Sequence, residues 1–219
     1  STDITASQAG NDNYNPATSV TQTQVINKAN QSITFGTLSN LSYSIGGTSA
    51  LGAYSTSGLG ITYSSSDDTV ATVAGNTLTI VKVGYSDITA SQDGNDNYNP
   101  AASIVRRQTI VKGSQTITFN VLENVSYSPS GTSVLSASST SGLTITYSSA
   151  TESVATVAGN TLSIVGAGST VITASQAGDS NYNPATSVTQ TQVINKANQT
   201  ITFNALSDLT YSPTGTSVL

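Results

Sequence analysis

Along most of the chain, apolar residues alternate with Ser, Thr and Asn instead of recurring every three or four positions. The clearest stretch is VATVAGNTLTIV, Val70 to Val81, which returns as VATVAGNTLSIV, Val154 to Val165. In its second half Leu78 and Ile80 alternate with Thr77 and Thr79, the period of two that marks a half-buried strand. Between the halves, Gly75-Asn76 offers two residues that tolerate positive φ, which a tight hairpin needs if its strands are to keep their twist. Thr and Val branch at Cβ and suit a pleated surface better than a helix. The pattern predicts a β-hairpin around which the rest of the chain is organised.

That rest is a repeat. DITASQAGNDNYNPA starts at Asp3, DITASQDGNDNYNPA at Asp87 and VITASQAGDSNYNPA at Val171, each 84 residues after the last; ITF recurs at Ile33, Ile117 and Ile201 with the same offset. Residues 31–114 and 115–198 are two full copies. Residues 1–30 read as the C-terminal part of a preceding copy and 199–219 as the N-terminal part of a following one. Residue 1 falls inside a repeat unit, so the chain is expected to be a piece of a longer polypeptide, and the lack of a signal peptide says nothing about secretion.

Within one copy the pattern predicts seven or eight strands: 31–36, 38–44, 48–55, 59–64, the two arms of the hairpin, 87–92 with Ile88 and Ala90 inward, and 101–111. Turns are expected at Ile45-Gly46-Gly47, Ser57-Gly58 and Asp67-Asp68. The last strand is ambiguous. Val20, Gln22, Gln24 and Ile26 would share a face, and two glutamines in a core argue for a bulge or partial exposure there. Many short strands with a turn signal every 8–12 residues predict an antiparallel β-sandwich. No window carries a sustained helical period.

Composition changes this picture only by exclusion. His, Cys, Met and Trp are absent. No disulfide or thiolate metal site is possible, and the commonest general base and zinc ligand are missing. Only 8% of residues are charged and the net charge is −5, the wrong sign for a nucleic-acid partner. No apolar run approaches the roughly 18 residues of a membrane helix.

SGLTITYSSA, SVATVAGNTLSIVGAGSTVITASQAGDSNYNPA and VTQTQVINKANQTITF together resemble the bacterial Ig-like repeats of large surface and adhesin proteins, in particular the MBG type. The resemblance covers all 219 residues. It implies all-β, tandem antiparallel Ig-like β-sandwich domains arranged end to end, displayed outside the cell on its surface or in a matrix. It brings no catalytic residues, cofactor or metal site. The disulfide and buried Trp of antibody domains are missing, and Tyr63 and Tyr147 are expected in the Trp's place.

An 84-residue unit buries roughly 60–65% of its unfolded surface and is marginal unless its core is well filled. The expected core is Ile33, Phe35, Leu38, Leu51, Ile61, Tyr63, Val70, Val73, Leu78, Ile80 and Ile88, with the equivalents Ile117, Phe119, Leu122, Leu135, Ile145, Tyr147, Val154, Val157, Leu162, Ile164 and Ile172. The joins are only Lys28-Ala29-Asn30, Lys112-Gly113-Ser114 and Lys196-Ala197-Asn198, with no flexible Gly/Ser linker. A semi-rigid rod is expected, each domain adding roughly 35–45 Å.

Four features were weighed as sites. The loop Gly10 to Pro16 recurs at Gly94 and Gly178, and its Asn and Asp oxygens could hold calcium. Each copy carries one carboxylate there, and Asp12 becomes Ser180, so backbone turns made by Asn and Asp are the simpler reading. Tyr14, Tyr98 and Tyr182 in this loop would either stack on a sugar or pack at the domain join, the latter preferred. Lys28, Lys112 and Lys196 recur without a matching carboxylate, so no Lys–Asn crosslink is expected. Arg106-Arg107 would point to opposite faces of a strand. Asn30, Asn40, Asn124 and Asn198 sit in N-x-S/T triplets, a weak signal in so Ser/Thr-rich a chain. Nothing suggests catalysis. The expected role is a stalk, spacer or fibre segment whose partners are neighbouring repeats of the same polypeptide, with self-association into fibres as a further option. The runner-up is a carbohydrate- or protein-binding module acting through the Asn-Tyr loops.

Overall fold

The computed structural model describes residues 1–211 and 213, and among them every regular element is a β-strand. Residues 212 and 214–219, part of the expected head of a following copy, lie outside the described residues. By contacts the chain divides into two compact units. One comprises Ser1–Thr116 and Ala177–Ala185, the other Ile117–Gln176 and Thr186–Leu219.

The N-terminal stretch forms a two-stranded antiparallel ribbon, β1 (Thr2–Ala6) and β2 (Val20–Gln24), whose residues are all exposed. The first copy then supplies β3 (Ile33–Phe35), β4 (Leu41–Ser42), β5 (Thr48–Ala50), β6 (Ala53–Ser55), β7 (Thr62–Ser65), β8 (Ala71–Ala74), β9 (Thr77–Ile80), β10 (Gly84–Ser91) and β11 (Ile104–Val111). One layer has the order β4-β11-β10-β7; the other is made of β3-β6 and β5-β9-β8. The sequence predicted a single strand over 48–55. It is broken at Leu51-Gly52, where Leu51 turns into the core (4% exposed). Each half then finds its own partner, β5 on β9 and β6 on β3. Counting the halves as one bent strand, the layers hold four strands and three, with the short β4 added in parallel on β11. That is the strand order of an Ig-like sandwich.

All nine strands recur 84 residues on. They are β12 (Ile117–Phe119), β13 (Val125–Ser126), β14 (Thr132–Val134), β15 (Ala137–Ser139), β16 (Thr146–Ser149), β17 (Ala155–Ala158), β18 (Thr161–Ile164), β19 (Gly168–Ser175) and β20 (Val188–Asn195). Their order is β13-β20-β19-β16 in one layer, and β12-β15 with β14-β18-β17 in the other.

The expected core is largely where the alternation put it. Leu78, Ile88 and Ala90 are fully buried, as are Leu162, Ile172 and Ala174. Leu38, Ile61, Tyr63 and Val73 are only partly buried and pack against the core from its rim. Tyr63 stands edge-on to Phe35 (centroids 5.7 Å apart), and its hydroxyl accepts the Ala53 N–H at 2.7 Å, at the break in the bent strand. Tyr147 does the same with Phe119 and Ala137. A tyrosine on the third major strand thus takes the position that a Trp holds in antibody domains.

Two expectations need correction. In the hairpin only Gly75 has positive φ (58°), and in the second copy only Gly159 (59°). The turn therefore has glycine at its first central position, the II′ pattern, and Asn76 needs no special conformation. The bulge expected in the last strand is also absent from both full copies, where β10 pairs with β11, and β19 with β20, over seven consecutive residues. A glutamine is buried there after all, Gln108 at 2% and Gln192 at 1% exposure. The burial is tolerable because each amide is satisfied. Gln108 Nε2 donates to Ser39 O (2.8 Å) and Thr109 O (3.1 Å), and Gln192 Nε2 to Glu123 O (2.8 Å) and Val193 O (3.0 Å).

Candidate functional site

The recurring Asn-Tyr-Asn-Pro loop is built by its first polar residue. Asn11 Oδ1 accepts the N–H groups of Asn13 (2.9 Å) and Tyr14 (3.1 Å). Asn95 Oδ1 does the same for Asn97 (2.8 Å) and Tyr98 (2.9 Å), and Asp179 Oδ1 for Asn181 (2.7 Å) and Tyr182 (2.8 Å). These are side-chain turns of the kind expected of Asn and Asp, and they already occupy an oxygen that calcium would need. Among the described residues no three His, Cys, Asp or Glu side chains cluster.

What the loop does next is read from its backbone. Ala29 N–H donates to Asn97 O and Asn99 N–H donates to Ala29 O, both at 2.8 Å, so the join residue runs as a one-residue parallel strand beside Tyr98. At the other join Gly113 N–H donates to Asn181 O and Asn183 N–H to Gly113 O, both at 2.9 Å. The same two-bond ladder therefore forms wherever a join meets an Asn-Tyr loop.

The second ladder, which lies within the first compact unit, carries further contacts. Val83 N–H donates to Asn181 Oδ1 at 3.0 Å. Lys112 Nζ donates to Asp179 O at 2.5 Å and Gln115 Nε2 to Asn183 O at 2.7 Å. The Tyr182 ring meets Tyr43 edge-on, centroids 5.2 Å apart at 82°. Loss of solvent around Tyr182, then the nearby Tyr43 and Asp179, raises its pKa. Gly113 is buried, and a Cβ there would stand 2.3 Å from Tyr43 O and 3.3 Å from the Tyr182 ring. Glycine is needed at this join because two segments press on one Cα.

The three loop tyrosines thus differ in setting. Tyr182 packs on Tyr43, Tyr98 is half-buried beside Ala29, and Tyr14 is 75% exposed. Lys112 binds a backbone carbonyl. Arg106 and Arg107 do point to opposite faces: Arg106 Nε donates to Phe35 O at 3.0 Å, while Arg107 pairs with Asp87 at 3.0 Å and lies over the Tyr85 ring. Of the glycosylation triplets, Asn30 is engaged by Asn99 Nδ2 at 2.9 Å. Sequence reasoning passed over Tyr43 and Val83, which carry no local signal; only their position opposite the join makes them contacts.

Comparison with known protein families and with curated proteins finds no match. Among solved structures the chain is similar to Drosophila N-cadherin EC1-3, at 12% identity over 78% of this chain and 67% of that one, TM-score 0.31. It is similar to Dpr2 Ig1-Ig2 in complex with DIP-Theta Ig1-Ig3, at 12% identity over 76% and 65%, TM-score 0.29. Sidekick-1 immunoglobulin domains 1-5 align at 12% identity over 76% and 39%, TM-score 0.31. The chain spans from about two-fifths to two-thirds of the length of these structures. Its class rests on strand order and not on these superpositions: this is an all-β protein of tandem Ig-like β-sandwiches.

Proposed function

We propose that the chain is a load-bearing spacer, a stalk or fibre segment of a long repetitive bacterial surface or adhesin protein of the MBG type, working outside the cell and without catalysis. The observation that carries this reading is how each copy ties its first segment to its last. The polypeptide enters a copy through β3 and β4 and leaves through β11, and β4 runs parallel to β11. Tension on the two ends therefore shears this pair, loading its hydrogen bonds together instead of peeling them one at a time. The seam is laced along its length. Arg106 Nε reaches Phe35 O, Gln108 Nε2 reaches Ser39 O, and Tyr43 N–H donates to Val111 O at 2.8 Å. In the second copy Gln190 Nε2 reaches Phe119 O (2.8 Å), Gln192 Nε2 reaches Glu123 O, and Tyr127 N–H donates to Asn195 O at 2.7 Å. Arg106 and Gln190 differ in charge and size yet make the same bond, so the seam is kept where the residue is not.

The near-identity of the loops favours a spacer over the alternative, a sugar- or protein-binding module, because Tyr98 and Tyr182 are already engaged with the chain's own residues. The test is single-molecule pulling. Each copy should give a distinct force peak followed by a gain in length on the order of 300 Å, from 84 residues at about 3.6 Å each. Gln108→Ala should lower the peak of the first copy alone, and Gln192→Ala that of the second. Copies that unravel without a peak, or clear hits on a glycan array, would reverse the order of the two readings.

A further inference from the structure

The second copy holds a cleft of about 510 Å³ lined by Tyr127, Val165, Gly166, Ala167 and residues 196–199. Shifted back by 84 residues, these positions are Tyr43, Val81, Lys82, Val83 and residues 112–115. In the first compact unit that same set is the seat of the 177–185 loop: Tyr43 takes the Tyr182 ring, Val83 bonds Asn181, and Lys112, Gly113 and Gln115 bond Asp179, Asn181 and Asn183. The two seats differ in cover. Gly113 and Gln115 are buried, whereas Ala197 and Gln199 are exposed, and Ala167 is exposed where Val83 is half-buried.

The matching plug is also on this molecule's surface. Loop 10–16 has the same turn as loop 177–185, with Asn11 N–H donating to Tyr14 O (2.9 Å) and both side-chain bonds from Asn11 in place. It holds this form on a ribbon whose residues are all exposed, so the shape is local and ready-made, which limits the ordering cost of docking. Tyr14, the counterpart of Tyr182, is 75% exposed.

We propose that the cleft at Tyr127, 165–167 and 196–199 is a socket for the Asn-Tyr-Asn-Pro loop of a second copy of this chain. Loop 10–16 of one molecule enters the socket of the next. Asn13 O and Asn15 N–H ladder onto Ala197, Asn13 Oδ1 takes the Ala167 N–H, and Tyr14 packs on Tyr127. Plug and socket are different surfaces, so the contact is head-to-tail and propagates without closing on a pair. The one departure from the occupied seat is Ala197 in place of Gly113. Ala29 forms the same ladder with Asn97 and Asn99, so a methyl group does not prevent it. Because a Cβ at Gly113 would crowd Tyr43 O, the methyl of Ala197 should make the socket the weaker of the two. This inference goes beyond the spacer reading and does not depend on it, since it concerns association between separate chains.

The test is sedimentation velocity on the 219-residue chain over a wide concentration range. The wild type should associate with rising concentration. Tyr14→Ala, which removes the plug's anchor, and Ala197→Leu, which fills the socket, should each weaken association at least tenfold, roughly the loss of one anchoring aromatic. Mixed together, the two variants should form a one-to-one complex and stop, since each keeps one working end. Ala197→Gly should tighten association. As a second measurement, a peptide of residues 177–185 should shift the backbone NMR signals of 165–167 and 196–199 and those of no other region. The proposal is overturned by a chain that stays monomeric while the peptide shifts nothing. It is equally overturned by association that survives both Tyr14→Ala and Ala197→Leu, which would place the contact on the exposed β1–β2 ribbon instead.

Discussion

The two full copies have the same nine strands at the same offset, yet their surfaces are held in different ways. Across β10 and β11 the first copy pairs Asp87 with Arg107, and Arg107 also covers Tyr85 at 4.2 Å from the ring centroid. The second copy has Val171, Thr191 and Ser169 at those three places. At the start of the turn before β8 the first copy has Asp67, whose carboxylate accepts the Thr69 N–H and hydroxyl; the second has Thr151. Charge has come and gone from these exposed positions while Leu78, Ile88, Gln108 and their counterparts stayed the same. The comparison separates what the sandwich needs from what its surface allows. The buried alternation and the glutamine seam belong to the first class, and the ion pair to the second.

If that division is right, the largest effects lie in the shared core and should be equal in the two copies. Leu78→Ala and Leu162→Ala each empty a fully buried site and should each cost about 2–5 kcal/mol. Hydrogen exchange at the amides of β8–β10 and of β17–β19 would show each loss confined to its own copy. A large loss in one copy and none in the other would break the equivalence.

A smaller effect of opposite sign is expected where the copies diverge in backbone. Gly46 has φ 66°; its counterpart Ser130 has φ 58°, the only non-glycine with positive φ among the described residues. Ser130 follows Pro129 in a turn closed by Gly131 N–H to Ser128 O at 3.0 Å, so proline sets the first turn position and serine accepts the strain at the second. Ser130→Gly should stabilise the second copy by about 1 kcal/mol, and Gly46→Ser should destabilise the first by a similar amount. Thermal unfolding of the two variants beside the wild type would measure both.

The smallest effect is the pH response, and it should be found in the first copy. The Arg107 hydrogen bond, opposed in part by desolvation, holds the Asp87 carboxyl below its ordinary value; hydrogen bonds from Thr69 do the same for Asp67. A carboxyl whose pKa is lower when folded contributes stability above its unfolded pKa and loses it as pH falls through the folded value. The first copy should therefore weaken in acid, below the usual aspartate range. The second, with Val171 and Thr151 at these positions, should show no such loss from them. Both groups are solvent-exposed, so the difference is slight and salt should reduce it. Exchange rates compared at neutral pH and in acid would reveal it.

The fold was legible because its signals are local. Alternation places Leu78, Ile80, Ile88 and Ala90 inward on any half-buried strand, and Gly75-Asn76 marks the reversal whichever turn type results. Gln108 was illegible for the opposite reason. Its burial is permitted by Ser39 O, which lies 69 positions earlier and reveals nothing in sequence. The break at Leu51-Gly52 likewise follows from two different partner strands, not from a turn signal. In the candidate site, the turn geometry of loops 10–16, 94–100 and 178–184 could be read from Asn and Asp alone, but its seat could not. Tyr43, Val83 and Gly113 come together only once the sandwich has formed.

The joins are laced by main-chain atoms, with Ala29 and Gly113 serving equally in the same two-bond ladder. A coupling of that kind does not record which residue fills it. If unequal recombination deletes or inserts 84 residues in frame, the new neighbours meet across the same pair of peptide groups, and nothing has to be re-evolved at the seam. The protein's reach can thus be lengthened or shortened in whole units between generations, while side chains on each unit drift independently.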